Sequence, residues 1–396
     1  MKKYHQLFLL LTSIASLTLF LVYRHHYNSL HYVLEVFNFF GQPCNISNLQ
    51  LQENIQLQHD WGPAPLWQAD GNIITYSGYW NNNNEAKVIV LRDQSKVTVK
   101  SCYLWYEDKE QPIIGKFHPV KVDRNAKIHT VFFYLCASSK YRRSPYAVSF
   151  AANKVETSKL VKIPLTNTYR HKFTFNATMC VMPSKFFSKS RLVEFLSFHK
   201  LIGFDSFIFY SNNIPHDLQK VLLNLSDRLG VKLTFFPWNF YSTNTTLLYK
   251  IVEMDCTLRT SNDSMRAMVL HMNEYIVPVG HQTFNEIIQS VNKNLVRLVI
   301  PVVTFCIQNE NPNIPMAVQN TNALRDDYKE MYNIIINGNE RNATGRQMLD
   351  KHAASIFRYE RCLDNSLATH IDNSVLKYSL DFVRSTLMQL LLHKHI

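Results

Sequence analysis

From Ala177 onward, short apolar runs and amphipathic stretches take turns along the chain, and few architectures accept that order. Cys180-Val-Met-Pro183 reads as a strand, and Leu192, Phe195, Leu196 and His199 recur at helical spacing before Gly203. Residues 206–210 read as a buried strand. Residues 215–229 read as a helix with Pro215 in its first turn and Gly230 at its stop. Strands over 231–236, 265–270 and 296–303 then alternate with helices over 246–259 and 284–291. Such repetition predicts an α/β fold, a mostly parallel sheet with flanking helices on both faces, because a parallel pair needs a crossover long enough to hold a helix. Beyond Pro312 the pattern loosens until a last helical stripe over 376–392.

The preceding part is different. Residues 86–91, 96–104, 130–135 and 146–150 have strand composition separated by turn residues, and the asparagines at 81–84 mark a loop tip. This predicts a small β-rich antiparallel domain, with 151–169 as its connection onward. At the N-terminus, Lys2 and Lys3 precede an uncharged apolar stretch over 6–23. At ~1.5 Å per residue it would span about 27 Å, near the ~30 Å hydrocarbon core. A cleaved signal peptide is the other reading, but residues 23–27 offer no Ala-x-Ala pattern. The apolar length favours a transmembrane helix. The charge of Lys2 and Lys3 against Arg24 places the N-terminus in the cytoplasm and the body in a lumen. The expected organisation is a tail and anchor over 1–27, a stem over 28–70, a β-rich domain over 71–169 and an α/β domain over 170–396.

Composition excludes several classes. With 46% apolar and 18% charged residues the chain is globular. Its 10 glycines form neither a G-x-x-x-x-G-K nor a G-x-G-x-x-G loop. A net charge of +12 is scattered without an aromatic-interleaved basic stripe, so no nucleic-acid partner is expected. Seven cysteines include no C-x-x-C; in an oxidising lumen several would pair and one, with Cys44 the natural candidate, would be left over. Sequons stand at Asn45, Asn176, Asn224, Asn244, Asn262 and Asn342.

Chemistry concentrates at Met268-Val-Leu-His-Met-Asn-Glu-Tyr-Ile-Val-Pro278. An apolar strand there ends abruptly in His271, Asn273 and Glu274. Polar groups at the carboxyl end of a buried strand sit where α/β sheets bind ligands.

In combination these segments resemble glycosyltransferase family 92. Cys180-Val-Met-Pro183 is similar to its opening strand. Leu192-Val-Glu-Phe-Leu-Ser-Phe-His199 with Gly203-Phe-Asp-Ser-Phe-Ile-Phe-Tyr210 is similar to its "LVEFxxYH…GxDhFxiY". Asp255-Cys256 with Arg259 resembles "DCLxR", and His271-Met-Asn-Glu-Tyr-Ile-Val-Pro278 aligns with "DxDEFLVP". Ala368-Thr-His370 and Leu390-Leu-Leu-His393 resemble two later His-containing segments more loosely. The resemblance implies a GT-A-like nucleotide-sugar domain. It also implies transfer of a hexose, galactose among them, from a UDP-sugar to a glycan or glycoprotein acceptor, by a type II membrane enzyme of the Golgi or ER.

The departures fall on the chemistry. The family's two metal-motif aspartates are His271 and Asn273 here, and the aspartate expected after Tyr210 is Ser211. Two carboxylates at i and i+2 would clamp a divalent cation bridging the donor diphosphate. Losing both weakens that clamp, since one charge pair at ~4 Å is worth about 4 kcal/mol even at an effective dielectric near 20. The expected metal set is therefore a weakened manganese site of His271, Asn273, Glu274 and His370. Arg191 and Arg259 are the expected phosphate-binding cations. No residue is singled out as the catalytic base. The same replacements support the alternative of an inactive family member that binds glycans or stabilises a partner.

Overall fold

The computed structural model describes residues 16–19 and 22 and, apart from short loop stretches, residues 67–392. The chain divides into two compact units, Met1–Asp60 and Trp61–Ile396. In the first, Ser16–Leu19 and Val22 are helical and exposed; the rest of the expected anchor, residues 28–66 of the expected stem, Cys44 and Asn45 lie outside the described residues, as do Asn342 and His393.

The second unit begins with a closed β-barrel. After β1 (Gln68–Asp70) come β2 (Ile73–Asn81), β3 (Glu85–Asp93), β4 (Ser101–Trp105), β5 (Ile113–Lys121), β6 (His129–Ala137), β7 (Ala147–Ala151) and β8 (Ile163–Asn167). The order β2-β3-β6-β5-β4-β7-β8 closes on itself because β8 pairs with β2, Gly78 opposite Leu165. Val88, Val90, Leu104, Tyr134 and Phe150 fill the interior, crossed by the disulfide Cys102–Cys136. Strand β5 passes directly over that disulfide. A Cβ on Gly115 would come within 2.4 Å of Cys136 Sγ, so only glycine fits. The opposite face of β2, β3 and β6 is also buried: Tyr76, Ile89, Leu91 and Val131 pack outward onto the next sheet. Residues 151–169, expected to be connection, supply β8 and close the barrel.

The second sheet starts with β9 (Phe175–Val181), α1 (Lys189–Leu201), β10 (Ser206–Tyr210), α2 (His216–Leu229), β11 (Lys232–Phe236), α3 (Thr245–Thr260) and β12 (Ser264–Leu270). Local chemistry sets these bounds. Ser188 Oγ accepts from the Arg191 amide at the start of α1, and Asn244 Oδ1 accepts from the Leu247 amide at the start of α3. Gly230 ends α2 in the left-handed region, at φ 61°. Eight consecutive residues of α1, Leu192 to His199, are buried. That is why its apolar stripe is hard to distinguish from a fully buried segment.

Beyond β12 the sheet is completed by β13 (Glu274–Pro278), α4 (Phe284–Gln289), β14 (Leu295–Cys306), α5 (Met316–Gln319), β15 (Asn322–Ala323), β16 (Met331–Ile336), β17 (Gly345–Met348), β18 (Ala354–Glu360) and β19 (His370–Ile371). A 3-10 turn (Ser374–Tyr378), α6 (Ser379–Arg384) and α7 (Thr386–Leu392) follow. The main path runs β11-β10-β9-β12-β16-β14-β15-β19.

This corrects the expected fold class. One parallel run is β11, β10, β9 and β12, and β14 pairs parallel with β17 and β18. Strand β16 runs antiparallel to both β12 and β14, and β13 pairs antiparallel with β18. The sheet is mixed and a seven-stranded barrel precedes it, so "mostly parallel" does not describe it. The reason is connection length. Three helical crossovers link the parallel strands, whereas β12 and β13 are joined by three residues and the later helices are four to seven residues long. Nor do helices alone cover both faces. Helices α1, α2, α6 and α7 pack on one face, while α3 shares the other with the barrel. Among the described residues no helix is long and apolar enough to cross a membrane; of the expected N-terminal transmembrane helix only residues 16–19 and 22 are among them.

Candidate functional site

The first three parallel strands step in one direction, β9 to β10 to β11. The chain then returns through α3 to lay β12 on the other side of β9. Strand order therefore reverses between β9 and β12, and in open α/β sheets ligands bind outside the carboxyl ends of the strands at such a point. Two segments meet there: Met182, Pro183 and Ser184 after β9, and the turn from His271 to Glu274 after β12. They are stitched by the Met182 amide donating to the Leu270 carbonyl at 2.8 Å. Ser184 in turn accepts from Asn213 Nδ2 at 2.7 Å, and Ser211 Oγ accepts from the Asn213 amide.

The turn itself is held from behind. Glu274 is buried, with Oε1 accepting from Arg358 Nε at 2.8 Å and Oε2 accepting from the His271 amide at 2.8 Å. Asn273 Nδ2 donates to the Tyr359 carbonyl at 2.9 Å, and the Tyr359 amide donates back to the Asn273 carbonyl at 2.9 Å. His271 is half-buried. His370 is exposed on β19, opposite Ala323 at the end of the sheet's main path. Among the described residues no three His, Cys, Asp or Glu side chains are grouped to hold a metal ion. The donor chemistry agrees: the one remaining carboxylate is already bonded at both oxygens, which leaves only neutral donors, the His271 imidazole and the Asn273 carbonyl oxygen, for a cation. As placed, these residues do not fit a resident divalent cation.

The two expected phosphate-binding arginines are not brought together. Arg191 lies in the first turn of α1, at the crevice end of the sheet, beside Met316 Sδ. Arg259 lies in the last turn of α3, at the opposite end. Its Nε and Nη2 donate to Asp255 at 3.0 and 3.2 Å, and its guanidinium stacks 4.1 Å from the Phe236 ring centre. The fully buried Asp255 also accepts from Ser77 and Tyr79 of the barrel and from Tyr210 of β10. Burial alone would raise the Asp255 carboxyl, but the adjacent Arg259 charge and these hydrogen bonds outweigh it and hold it below the usual range. Cys256 next door is bonded to Cys180 of β9. This cluster joins barrel, helix and sheet; it is architecture.

Behind the crevice lies a group that sequence reasoning did not single out. Glu194 of α1 is buried and accepts from the Met316 amide at 3.0 Å and, at 3.5 Å, from the Tyr275 hydroxyl. Burial pushes its carboxyl up to about 7, against the opposing pull of the Met316 amide, the Arg191 charge and Tyr275. The signal was a lone Glu inside an otherwise apolar helix run. His199 stacks on Tyr275, with Nδ1 donating to the Phe195 carbonyl and Nε2 accepting from the Ile276 amide. Burial lowers its imidazole to about 3, so it is neutral and structural.

No curated protein matches the chain. Among solved structures, one titled Cyclomaltodextrinase aligns at 10% identity over 39% of this chain and 38% of its own length, with a TM-score of 0.17. That likeness is too slight to support an argument. The profile of Glycosyltransferase family 92 matches residues 176–379, from β9 through the crevice turn to the final helices. That match covers more than half of the sequence, and the chain belongs to glycosyltransferase family 92.

Proposed function

We propose that this chain transfers a hexose, galactose in the first instance, from a UDP-sugar to a hydroxyl of a glycan or glycoprotein. The donor diphosphate is seated at the strand-order reversal. One observation carries the reading: a family 92 chain presents at that point a helix start with no acid and two cations. The first turn of α1 holds Lys189 and Arg191. Cations are disfavoured at a helix N-terminus, which itself acts as about +0.5 of a charge, unless an anion sits there. Two side-chain charges plus the helix end suit a diphosphate and the extra negative charge it gains as it leaves. In this reading the phosphate charge is met by the helix end, Lys189 and Arg191, with His271 across the crevice, and not by a cation held in the turn. Three disulfides among the described residues support a body that folds in an oxidising lumen, Golgi or ER.

A second reading is favoured by the bonding of Glu274: the protein binds glycans or a partner without turnover. The purified chain assayed with UDP-galactose and a glycan acceptor, with manganese and with chelator, separates the two. Turnover equal under both conditions, and at least tenfold lower in Arg191→Gln, supports cation-free transfer. Turnover that requires manganese overturns the cation-free part. Neither turnover nor UDP-galactose binding by calorimetry overturns transfer and leaves the second reading.

A further inference from the structure

We infer that the seam between barrel and sheet holds a second, separate binding site, one that takes a neutral sugar ring. A cavity of about 260 Å³ opens at the amino ends of the parallel strands, the far end of the sheet from the crevice. The barrel contributes Thr166 and Thr168, the sheet contributes Ser206 and Thr234, and Ile208 with Phe175 gives an apolar patch. The volume lies just below the ~300–1,000 Å³ of drug-sized ligand sites, so it suits one ring and not an oligomer.

The wall chemistry selects the ligand. Hydroxyls both donate and accept, as do the hydroxyls of a sugar, whereas a sulfate or phosphate only accepts and calls for net positive charge. That charge is missing. Arg259 reaches the cavity, but its guanidinium is already matched by Asp255. The remaining cation of the lining, Lys232, lies 5.2 Å from the centre of the Phe175 ring, and the lining also carries the carboxylate of Asp263, so the formal charges cancel. A polar, hydroxyl-rich and formally neutral wall with an apolar patch complements a pyranose, whose rim is polar and whose ring face is apolar. The site would hold one residue of a glycan already bound elsewhere, or an isolated glycan end.

The choice of probe sugar rests on the transfer reading; the test does not. The full chain is titrated with methyl β-galactopyranoside, methyl β-glucopyranoside and sodium sulfate by calorimetry and saturation-transfer NMR, with neither nucleotide-sugar nor metal present. One or both glycosides should bind. Affinity should fall about fivefold in Thr234→Val, which removes one hydroxyl, and vanish in the cavity-filling Thr234→Phe. Unchanged melting temperatures would show that both variants fold. Sulfate binding in place of glycoside overturns the inference. So does an absence of glycoside binding, or equal glycoside binding by all three proteins. Because no donor is present, failure here speaks of the cavity alone, and failure of the transfer assay speaks of the crevice alone.

Discussion

Replacing Asp255 with Asn tests whether the barrel and the sheet are one cooperative structure. Five hydrogen bonds converge on this carboxylate: two from Arg259 and one each from Ser77, Tyr79 and Tyr210. The Arg259 side chain is only 13% exposed, so removing its counter-charge strands a mostly buried cation, at a cost of about 3–5 kcal/mol. An amide cannot accept at its nitrogen, so at least one hydroxyl also loses its partner. The disulfide Cys180–Cys256 still ties α3 to β9 in the variant, so the loss falls on the barrel seam. Urea unfolding followed by tryptophan emission reads that seam, because Trp67 and Trp238 meet there at 5.5 Å. The pH dependence adds a second check. The Asp255 carboxyl is depressed in the folded state, so its contribution is full above the unfolded value of about 3.9. It is lost as pH falls through the folded value, where wild type and variant converge. A loss under about 1 kcal/mol at neutral pH, or a gap that persists in strong acid, would refute this account.

Glu274→Gln should destabilise the chain by about 3 kcal/mol, since Arg358, with 16% of its side chain exposed, loses its counter-charge. Thermal unfolding without any ligand measures this, and an unchanged melting temperature would show that the carboxylate is not the turn's anchor. Glu194 carries a folded value of about 7 against an ordinary 4.5. Its contribution is thus fully present below about 4.5 and is lost as pH rises through 7, some ~3 kcal/mol in all. Glu194→Gln should abolish that fall when melting temperatures at pH 4.5 and 7.5 are compared with wild type; identical pH responses in both proteins would count against it.

How much of this was written in the sequence depends on the range of the interaction. Ser206–Tyr210 was read with the bounds found, and the parallel strands and their helices fall within a few residues of expectation, because periodicity is local. Strand direction is not local. Residues 331–336 could have joined the sheet either way, and antiparallel pairing of β16 with β12 and β14 is one of the reversals that make the sheet mixed. Strand β5 escaped notice because Gly115 and Pro119 interrupt it and its last four residues are exposed. The position of the His271 turn at a strand end was legible. The partner of Glu274, 84 residues away in Arg358, was not. Arg259 looked like a phosphate ligand, but its partner lies one helical turn back at Asp255, and the hydroxyls that complete that cluster come from the barrel.

Asn273 shows why the altered motif is more than a lost pair of charges. An aspartate only accepts, so at 273 in this position it would set a carboxylate against the Tyr359 carbonyl. Asparagine instead donates to that carbonyl and closes a two-bond link between turn and β18. Glu274 is tied in the same way, its charge answering Arg358 and its second oxygen the His271 amide. Two of the three polar residues of the turn thus serve as struts, and His271, half-buried like Asn273, lies at the end of β12. Among the described residues the negative charge of the turn is reduced to the Glu274 carboxylate, already paired with Arg358, while Lys189 and Arg191 stand at the start of α1. A surface of this charge suits direct recognition of an anionic donor, which is the reading proposed above.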